Sequence, residues 1–489
     1  MPTKGKNGNR KRSIKKNFAF QASYQVLLIL VPLITTPYLS RTLGASGVGV
    51  FSYTQAITHY FFMFAILGMS TYGVREIAAA GEDRMMRSRT FWSAYLAQLC
   101  AGIIVSIAYC MYMTLMQPAG GFRVALVWSM WILAALLDVS WLLFGVEEFK
   151  IPTIRSMATK IASVIIIFVF VRSPEDLWIY CAAIAGSLLA NQVLIWPFVR
   201  RYVDWVRVHW LDVRRHFKPN LLLFVPVVAI SLYTSMDKIL LGSIAGMEQA
   251  GYFEYSEKLS KVPLAAITAM GTVMLPRMTA ELSHGQHKQA LELLENSIWV
   301  MLAMAFAFAF GIAAISPEFA LVFLGDEFAE CDVLMAVLAI VIPLISVTNV
   351  VGRQYLIPTK RDKLYTASVC VGAAINVIVN LILIPQFGAL GASVATVASE
   401  LGVLMTQAWF VRKELPFARY AKGAIPFVAI GLIMAICVRV IAHWLNGMWN
   451  PSPLGLFIEI TVGAVVFVAL SIVWCVFSNN SQFKTIINQ

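Results

Sequence analysis

Apolar stretches of about 20 residues, the length a helix needs to cross a bilayer, recur from one end of this chain to the other. Hydrocarbon offers backbone N–H and C=O groups no partner, so each crossing segment must satisfy its own hydrogen bonds as a helix. Fourteen spans are read: 18–40, 48–71, 90–115, 122–144, 154–171, 176–198, 219–241, 250–276, 297–316, 332–356, 364–384, 387–410, 420–443 and 454–477. The loops between them run to about 20 residues, which leaves no room for a large soluble domain or a catalytic outer loop. Composition agrees: 59% of the 489 residues are hydrophobic and 13% charged, against roughly 45–50% and about 25% in soluble domains. The expected fold is an all-α integral membrane protein.

Charge orients it. The first 16 residues carry seven Lys or Arg, but no small-residue cleavage pattern follows and the apolar run continues through Leu39, so this is a retained cytoplasmic tail rather than a signal peptide. With fourteen spans and both termini inside, cytoplasmic segments collect 31 of the 38 Lys and Arg, as the positive-inside rule requires. That rule, not nucleic acid, accounts for the net charge of +12. It also keeps the eighth span, which holds Glu254, Glu257, Lys258 and Lys261: deleting it would turn the basic loops near 360 and 412–422 outward and the acidic loop Glu318, Asp326, Glu327, Glu330 and Asp332 inward.

The chain echoes itself. "LGASGVGVFSY" (43–53) compares with "LGSIAGMEQAGYFEY" (241–255), matching Gly49, Phe51 and Tyr53 to Gly251, Phe253 and Tyr255 after a four-residue insertion. An offset of six helices gives both copies one orientation. Parallel repeats about an axis along the membrane normal are a transporter architecture, with substrate held between the halves.

A charge at a helix centre costs about 2.5–3.5 kcal/mol and normally faces protein or water. In a helix, Glu254, Glu257, Lys258 and Lys261 share one stripe about 100° wide. They either neutralise one another as i,i+4 pairs, Glu254 with Lys258 and Glu257 with Lys261, or line a wet cavity. Asp237 and Lys238 are consecutive and point apart, so at least one faces the interior. Lys238, Lys258 and Lys261 join Arg41 at roughly one depth in the outer half, while Arg75 and Arg353 form a second tier at the cytoplasmic ends, where plain positive-inside anchoring is the alternative. Two such tiers suit an anionic substrate, above all a phosphate that Arg can grip bidentately. Asp138 and Glu400 are candidate ion-coupling residues or buried hydrogen-bonding groups, Arg439 and Glu459 are expected to pair, and Pro32, Pro37, Pro226 and Pro343 can kink their helices.

Seven cysteines show no metal-like spacing and read as core fillers. No phosphate loop or HExxH occurs, nor a paired acidic motif in an outer loop, and the six histidines are scattered. No cofactor, metal or ATP hydrolysis is expected.

"TTPYLSRTLGASGVGVFSYTQAITHYFFMFAILGMSTYGVREIA" (35–78), with "LYTSMDKILLG" and "AGYFEYSEKL" (232–242 and 250–259), resembles the signature of bacterial polysaccharide repeat-unit flippases of the multidrug/oligosaccharidyl-lipid/polysaccharide (MOP) exporter superfamily. The resemblance implies two six-helix lobes around a cavity that opens alternately to each side. It divides the chain into a tail (1–17), an N-terminal lobe (18–198), a basic linker (199–218), a C-terminal lobe (219–410) and accessory helices 13 and 14 with the terminus (411–489). It implies flipping of undecaprenyl-diphosphate-linked oligosaccharide across a bacterial inner membrane for O-antigen, capsule or exopolysaccharide assembly, with membrane lipids around it and a polymerase and chain-length regulator as partners. Arg41, Lys238, Lys258, Lys261, Arg75 and Arg353 would then attract the diphosphate or acidic sugars. Asp237, Glu254 and Glu257 would balance charge or bind a coupling H⁺ or Na⁺. The rivals are a cation-coupled drug exporter, a peptidoglycan-precursor flippase of the same superfamily, and a membrane polymerase or glycosyltransferase.

Overall fold

A computed structural model of the chain describes residues 4–116, 119–283, 286–448 and 450–477. The side chains of the basic tail, Pro226 and His287 lie outside the described set, as does His284. Helices make up the fold, and the described residues contain no strand.

Among the described residues, length and apolarity define ten stretches able to cross a membrane, so the protein is a multi-pass membrane protein. Two of them, Leu30–Ala80 and Asp362–Val411, hold 51 and 50 residues. At 1.5 Å per residue each has length for two crossings of a core about 30 Å thick. Each is broken at a glycine, Gly44 (φ 67°, ψ 175°) in the first and Gly388 (φ 52°, ψ −128°) in the second. Helices Phe217–Ile244, Met247–Ser260 and Leu264–Ser283 lie where the seventh and eighth spans were expected.

Several expected spans are interrupted, the second at Leu67 and Gly68 and the sixth at Leu194 and Ile195 among them. The eighth is not one helix: Met247–Ser260 stops, Lys261 to Pro263 form a turn, and Leu264–Ser283 follows, because Pro263 brings no N–H to continue the ladder. The fourth ends at Leu137 and resumes as Ser140–Gly145. The tenth divides into Cys331–Ala339, Val341–Asn349 and a π-helical turn, Val350–Leu356.

The chain forms two compact units, Met1–Ser231 and Leu232–Gln489. In the first, Phe91, Trp141, Leu142 and Met69 form the core, and Gly73 lets Met69–Ala80 press onto Trp141, where a Cβ would lie 2.6 Å from the ring. The basic segment 199–218 packs within this unit. His216 is fully buried, with Tyr72 Oη 2.6 Å from Nδ1 and Ser93 Oγ 2.8 Å from Nε2. Ser93 spends its own proton on the Arg89 carbonyl at 2.8 Å, so it accepts from Nε2–H, and Nδ1 accepts from Tyr72. Burial and the neighbouring Arg215 hold the imidazole's pKa down to about 4, which keeps it neutral.

The second unit packs around Leu294, Ile298, Trp299, Phe427 and Met434. Ile103, Ile104 and Ile107 in one unit and Val465, Val468 and Ile472 in the other are exposed along single helix faces, as expected where lipid is the solvent. Cysteines follow the same division: Cys181 and Cys331 are buried, whereas Cys110 and Cys370 are exposed and so are not core fillers. Arg439 does not take Glu459 as its partner. It meets Glu318 at 2.6 Å, and Asn446 holds the other oxygen of that carboxylate at 3.0 Å.

Candidate functional site

The second unit holds eight of the sequence-predicted residues: Asp237, Lys238, Glu254, Glu257, Lys258, Lys261, Arg353 and Glu400. Helix Phe217–Ile244 carries Asp237 and Lys238 side by side, and because consecutive side chains diverge by about 100°, they serve different neighbours.

Asp237 is 1% exposed. Asn380 Nδ2 donates to one carboxylate oxygen at 2.5 Å and Thr396 Oγ1 to the other at 3.1 Å. Asn380 also donates to Asn376 Oδ1, one turn away, at 3.1 Å. The two asparagines precede the Gly388 break and Thr396 follows it, so the break folds both halves of 362–411 around Asp237. Gln249 Oε1 accepts from the Ala389 N–H at 2.8 Å and fixes that turn. A Cβ on Gly388 would meet this amide at 2.4 Å. The result is a dry carboxylate ringed by neutral oxygen and amide groups.

Lys238 turns the other way. Its Nζ lies 2.5 Å from Glu254 and 3.3 Å from Glu257, and Lys261 Nζ meets the second oxygen of Glu257 at 2.6 Å. Of the two i,i+4 pairs considered, Glu257–Lys261 is present, while Glu254 engages Lys238 across helices. Lys258 lies over the Tyr255 ring at 5.7 Å. Both glutamates are 7% exposed, and each charge so buried costs several kcal/mol before pairing. Alternation of sign along Glu254, Lys238, Glu257 and Lys261 is what makes the group tenable.

Lys261 also feels Glu400, which is 6% exposed. Glu400 lines a cavity of about 120 Å³ with Thr268, Asn349, Arg353, Tyr365 and Gln407, room for a few waters. Sequence reading missed Asn376, Asn380, Thr396, Asn349 and Gln407. The signal was there: "AAINVIVNLILI" sets two asparagines one turn apart in an otherwise apolar run.

In the first unit, Arg41 and Arg75 are exposed, and Arg41 Nη1 donates to the Pro37 carbonyl at 2.8 Å. Arg41 ends its helical segment just before the Gly44 break. Asp138 sits at the interruption after Leu137 and accepts from the Ser140 N–H at 2.9 Å. Gln98 Nε2 donates to the freed Ala135 and Asp138 carbonyls at 2.8 and 2.9 Å, and Arg155, 7% exposed, donates to Ser140 Oγ at 3.3 Å. Asp138 thus serves the backbone of a broken helix. Among the described residues no group of three or more His, Cys, Asp or Glu suits a metal ion.

This geometry can be set beside known proteins. A "Putative O-antigen transporter" of Escherichia coli (strain K12) is 24% identical over 413 residues, covering 83% of this chain and 98% of that one. A solved structure of lipid II flippase MurJ, inward closed, superposes with a TM-score of 0.72 at 14% identity, covering 94% of this chain and 98% of the other. An inward-facing multidrug resistance MATE family transporter of the MOP superfamily gives 0.58 at 13% identity, over 81% and 98%. The fold is therefore that of MOP transporters. Residues 14–282, more than half of the chain, match the family described as polysaccharide biosynthesis protein, and to that family the chain belongs.

Proposed function

We propose that the protein flips undecaprenyl-diphosphate-linked oligosaccharide repeat units from the cytoplasmic to the outer leaflet of a bacterial inner membrane, by alternating access, to supply surface polysaccharide assembly. The observation that carries this reading is the Glu254–Lys238–Glu257–Lys261 ladder, four charges held inside a membrane protein whose relatives include a named O-antigen transporter. A diphosphate offers what those lysines already hold, negative oxygens at close range. Its entry exchanges one set of anions for another without stranding a cation in low dielectric. Lys258 and Arg353 extend the cationic surface of this unit, and Arg41 and Arg75 supply that of the other. Glu254 and Glu257 would then lose their lysine partner, a cost that a proton or coupling cation on those carboxylates would offset.

Asp237 is the coupling residue of this scheme. A carboxylate ringed by Asn376, Asn380 and Thr396 suits a proton or a small monovalent cation such as Na⁺, whose hard charge prefers oxygen ligands. Glu400 beside its polar cavity is the second candidate. A polymerase and a chain-length regulator would receive the product.

The test is flipping of a fluorescent undecaprenyl-diphosphate oligosaccharide in proteoliposomes, with efflux of an organic cation dye run in parallel. The expected result is sugar-lipid flipping that is lost in Arg41→Ala and Lys258→Ala although both variants insert normally, and whose ion dependence is lost in Asp237→Asn. Dye efflux without flipping would sink the proposal in favour of a drug exporter.

A further inference from the structure

The basic segment of the first unit does more than connect. It lies across the start of helix Arg84–Leu115, where Arg84 grips both oxygens of Asp204 at 2.6 and 2.7 Å, Arg87 Nε donates to the Tyr202 carbonyl at 2.9 Å and Arg89 meets Asp212 at 2.9 Å. Trp92 Nε1 donates to the Asp204 carbonyl at 2.9 Å, and the Trp92 and Trp205 rings meet edge to face with centroids 4.4 Å apart. Between them opens a cavity of about 950 Å³ lined by Trp92, Trp196, Pro197, Arg200, Asp204 and Trp205.

Its surroundings combine two kinds of exposure. Trp205 is 76%, Leu211 77%, Met85 64% and Trp210 61% exposed, more apolar surface than a water-facing loop carries without a partner. The stretch 199–218 also holds Arg200, Arg201, Arg207, Arg214, Arg215 and Lys218 against only two acids, Asp204 and Asp212. Both acids are already claimed by arginines, which hold their carboxyls below the usual range. Tryptophan rings beside surplus cations mark the membrane–water interface and a leaflet of negative surface charge.

The cavity's chemistry selects its occupant. A saccharide needs many hydrogen-bonding partners for its hydroxyls, but Asp204 is taken by Arg84 and the Trp92 N–H by the backbone. The remaining wall is aromatic and aliphatic apart from Arg200. One cation above an apolar pocket matches a phosphate with acyl chains beneath it.

We propose that this cavity binds an anionic phospholipid, its phosphate on Arg200 and its chains against Trp92, Trp196 and Trp205, and that residues 200–216 form an in-plane anchor on the anionic leaflet. The inference is independent of which substrate the protein carries.

It is tested on the full-length protein by native mass spectrometry, titrating phosphatidylglycerol and, separately, phosphatidylethanolamine. The wild type should retain phosphatidylglycerol preferentially. Arg200→Ala should weaken that binding about fivefold, the equivalent of about 1 kcal/mol per basic residue at a membrane surface, whereas Arg200→Lys should keep the preference. Trp205→Ala should weaken both lipids, and because Arg200 and Trp205 are exposed these variants remain folded. Equal retention of the two lipids by the wild type, unchanged phosphatidylglycerol affinity in Arg200→Ala/Trp205→Ala, or displacement of the lipid by a soluble oligosaccharide would overturn the proposal.

Discussion

Lys238 holds two carboxylates at once, as Glu257 holds two lysines, so the loss of either disrupts the charged ladder at two contacts. Lys238→Met takes the lysine from Glu254 and leaves Glu257 with Lys261 alone, and breaking a buried pair from one side costs about 3–5 kcal/mol. The melting temperature in detergent should fall sharply, and adding Glu254→Gln should restore part of the loss, the coupling that a double-mutant cycle detects. Arg361 and Glu414 also form two hydrogen bonds, at 2.7 and 2.9 Å, but each is about one-third exposed. Arg361→Ala should therefore change stability by only about 0–1 kcal/mol. His216 provides a pH test. An unfolded chain takes up the proton near the ordinary value of about 6.5, the folded chain only near about 4. Between these values the unfolded state binds more protons, so stability falls as pH drops through that window. His216→Gln should melt lower than wild type near neutrality, and the gap should narrow toward about pH 4; a constant gap would mean that His216 is not held neutral. At this scale the sequence showed which residues carry charge and which of them share a stripe, since both follow from one helix's period. It could not show that Glu254 reaches Lys238 on another helix, or that Arg439 reaches Glu318, because a partner far along the chain is set by packing.

The helices are divided by backbone points, and the two copies of the internal repeat use the same kind. Gly44 lies near the start of the first copy and Gly246 inside the second, four residues past the Gly242 that the matching sets against Gly44, and both take positive φ with extended ψ: 67° and 175° at Gly44, 99° and 167° at Gly246. That region is essentially closed to any residue with a Cβ and costs of order 1–3 kcal/mol to enter. Nothing lies within 4 Å of a Cβ built on Gly246, so Gly246→Ala measures backbone strain alone. It should destabilise by about 1–3 kcal/mol in a thermal melt, and Gly246→Asn should give no rescue, because asparagine tolerates the αL region and not this one. A melt unchanged in both would show that the turn relaxes freely. The turns at Gly44 and Gly246 fall between the expected spans, and a break at Pro263 was open to reading because proline acts through its own backbone, although the eighth expected span runs through it. The break at Asp138 was not: no proline or glycine marks it, and Gln98 stabilises it from a different helix through the carbonyls it frees.

Over the whole molecule the strongest regularity is the separation of charge. If the fourteen-span reading is right, 31 of 38 basic residues share one face, and the acidic segment from Glu318 to Asp332 lies on the other. Positive charge resists translocation, so this asymmetry and the number of crossings constrain each other. An odd number of missing crossings between two points would reverse everything after them. Helices Phe217–Ile244, Met247–Ser260 and Leu264–Ser283 are where the crossing number is tested, because the chain turns at Lys261 to Pro263 and Met247–Ser260 carries buried charge. Two sites bracket them together with the helices from Arg84 to Val199, Glu82 in the turn after Met69–Ala80 and Glu327 beyond His287–Phe319. In a variant lacking the seven native cysteines, Glu82→Cys should react with a membrane-impermeant maleimide only after the cells are opened, and Glu327→Cys in intact spheroplasts. Labelling of both from one side would remove a crossing between them and bring the acidic segment to the basic face. The ladder would then lie at a membrane surface, where paired charges cost little, and the physical case for a buried anion-exchange site would fail with it.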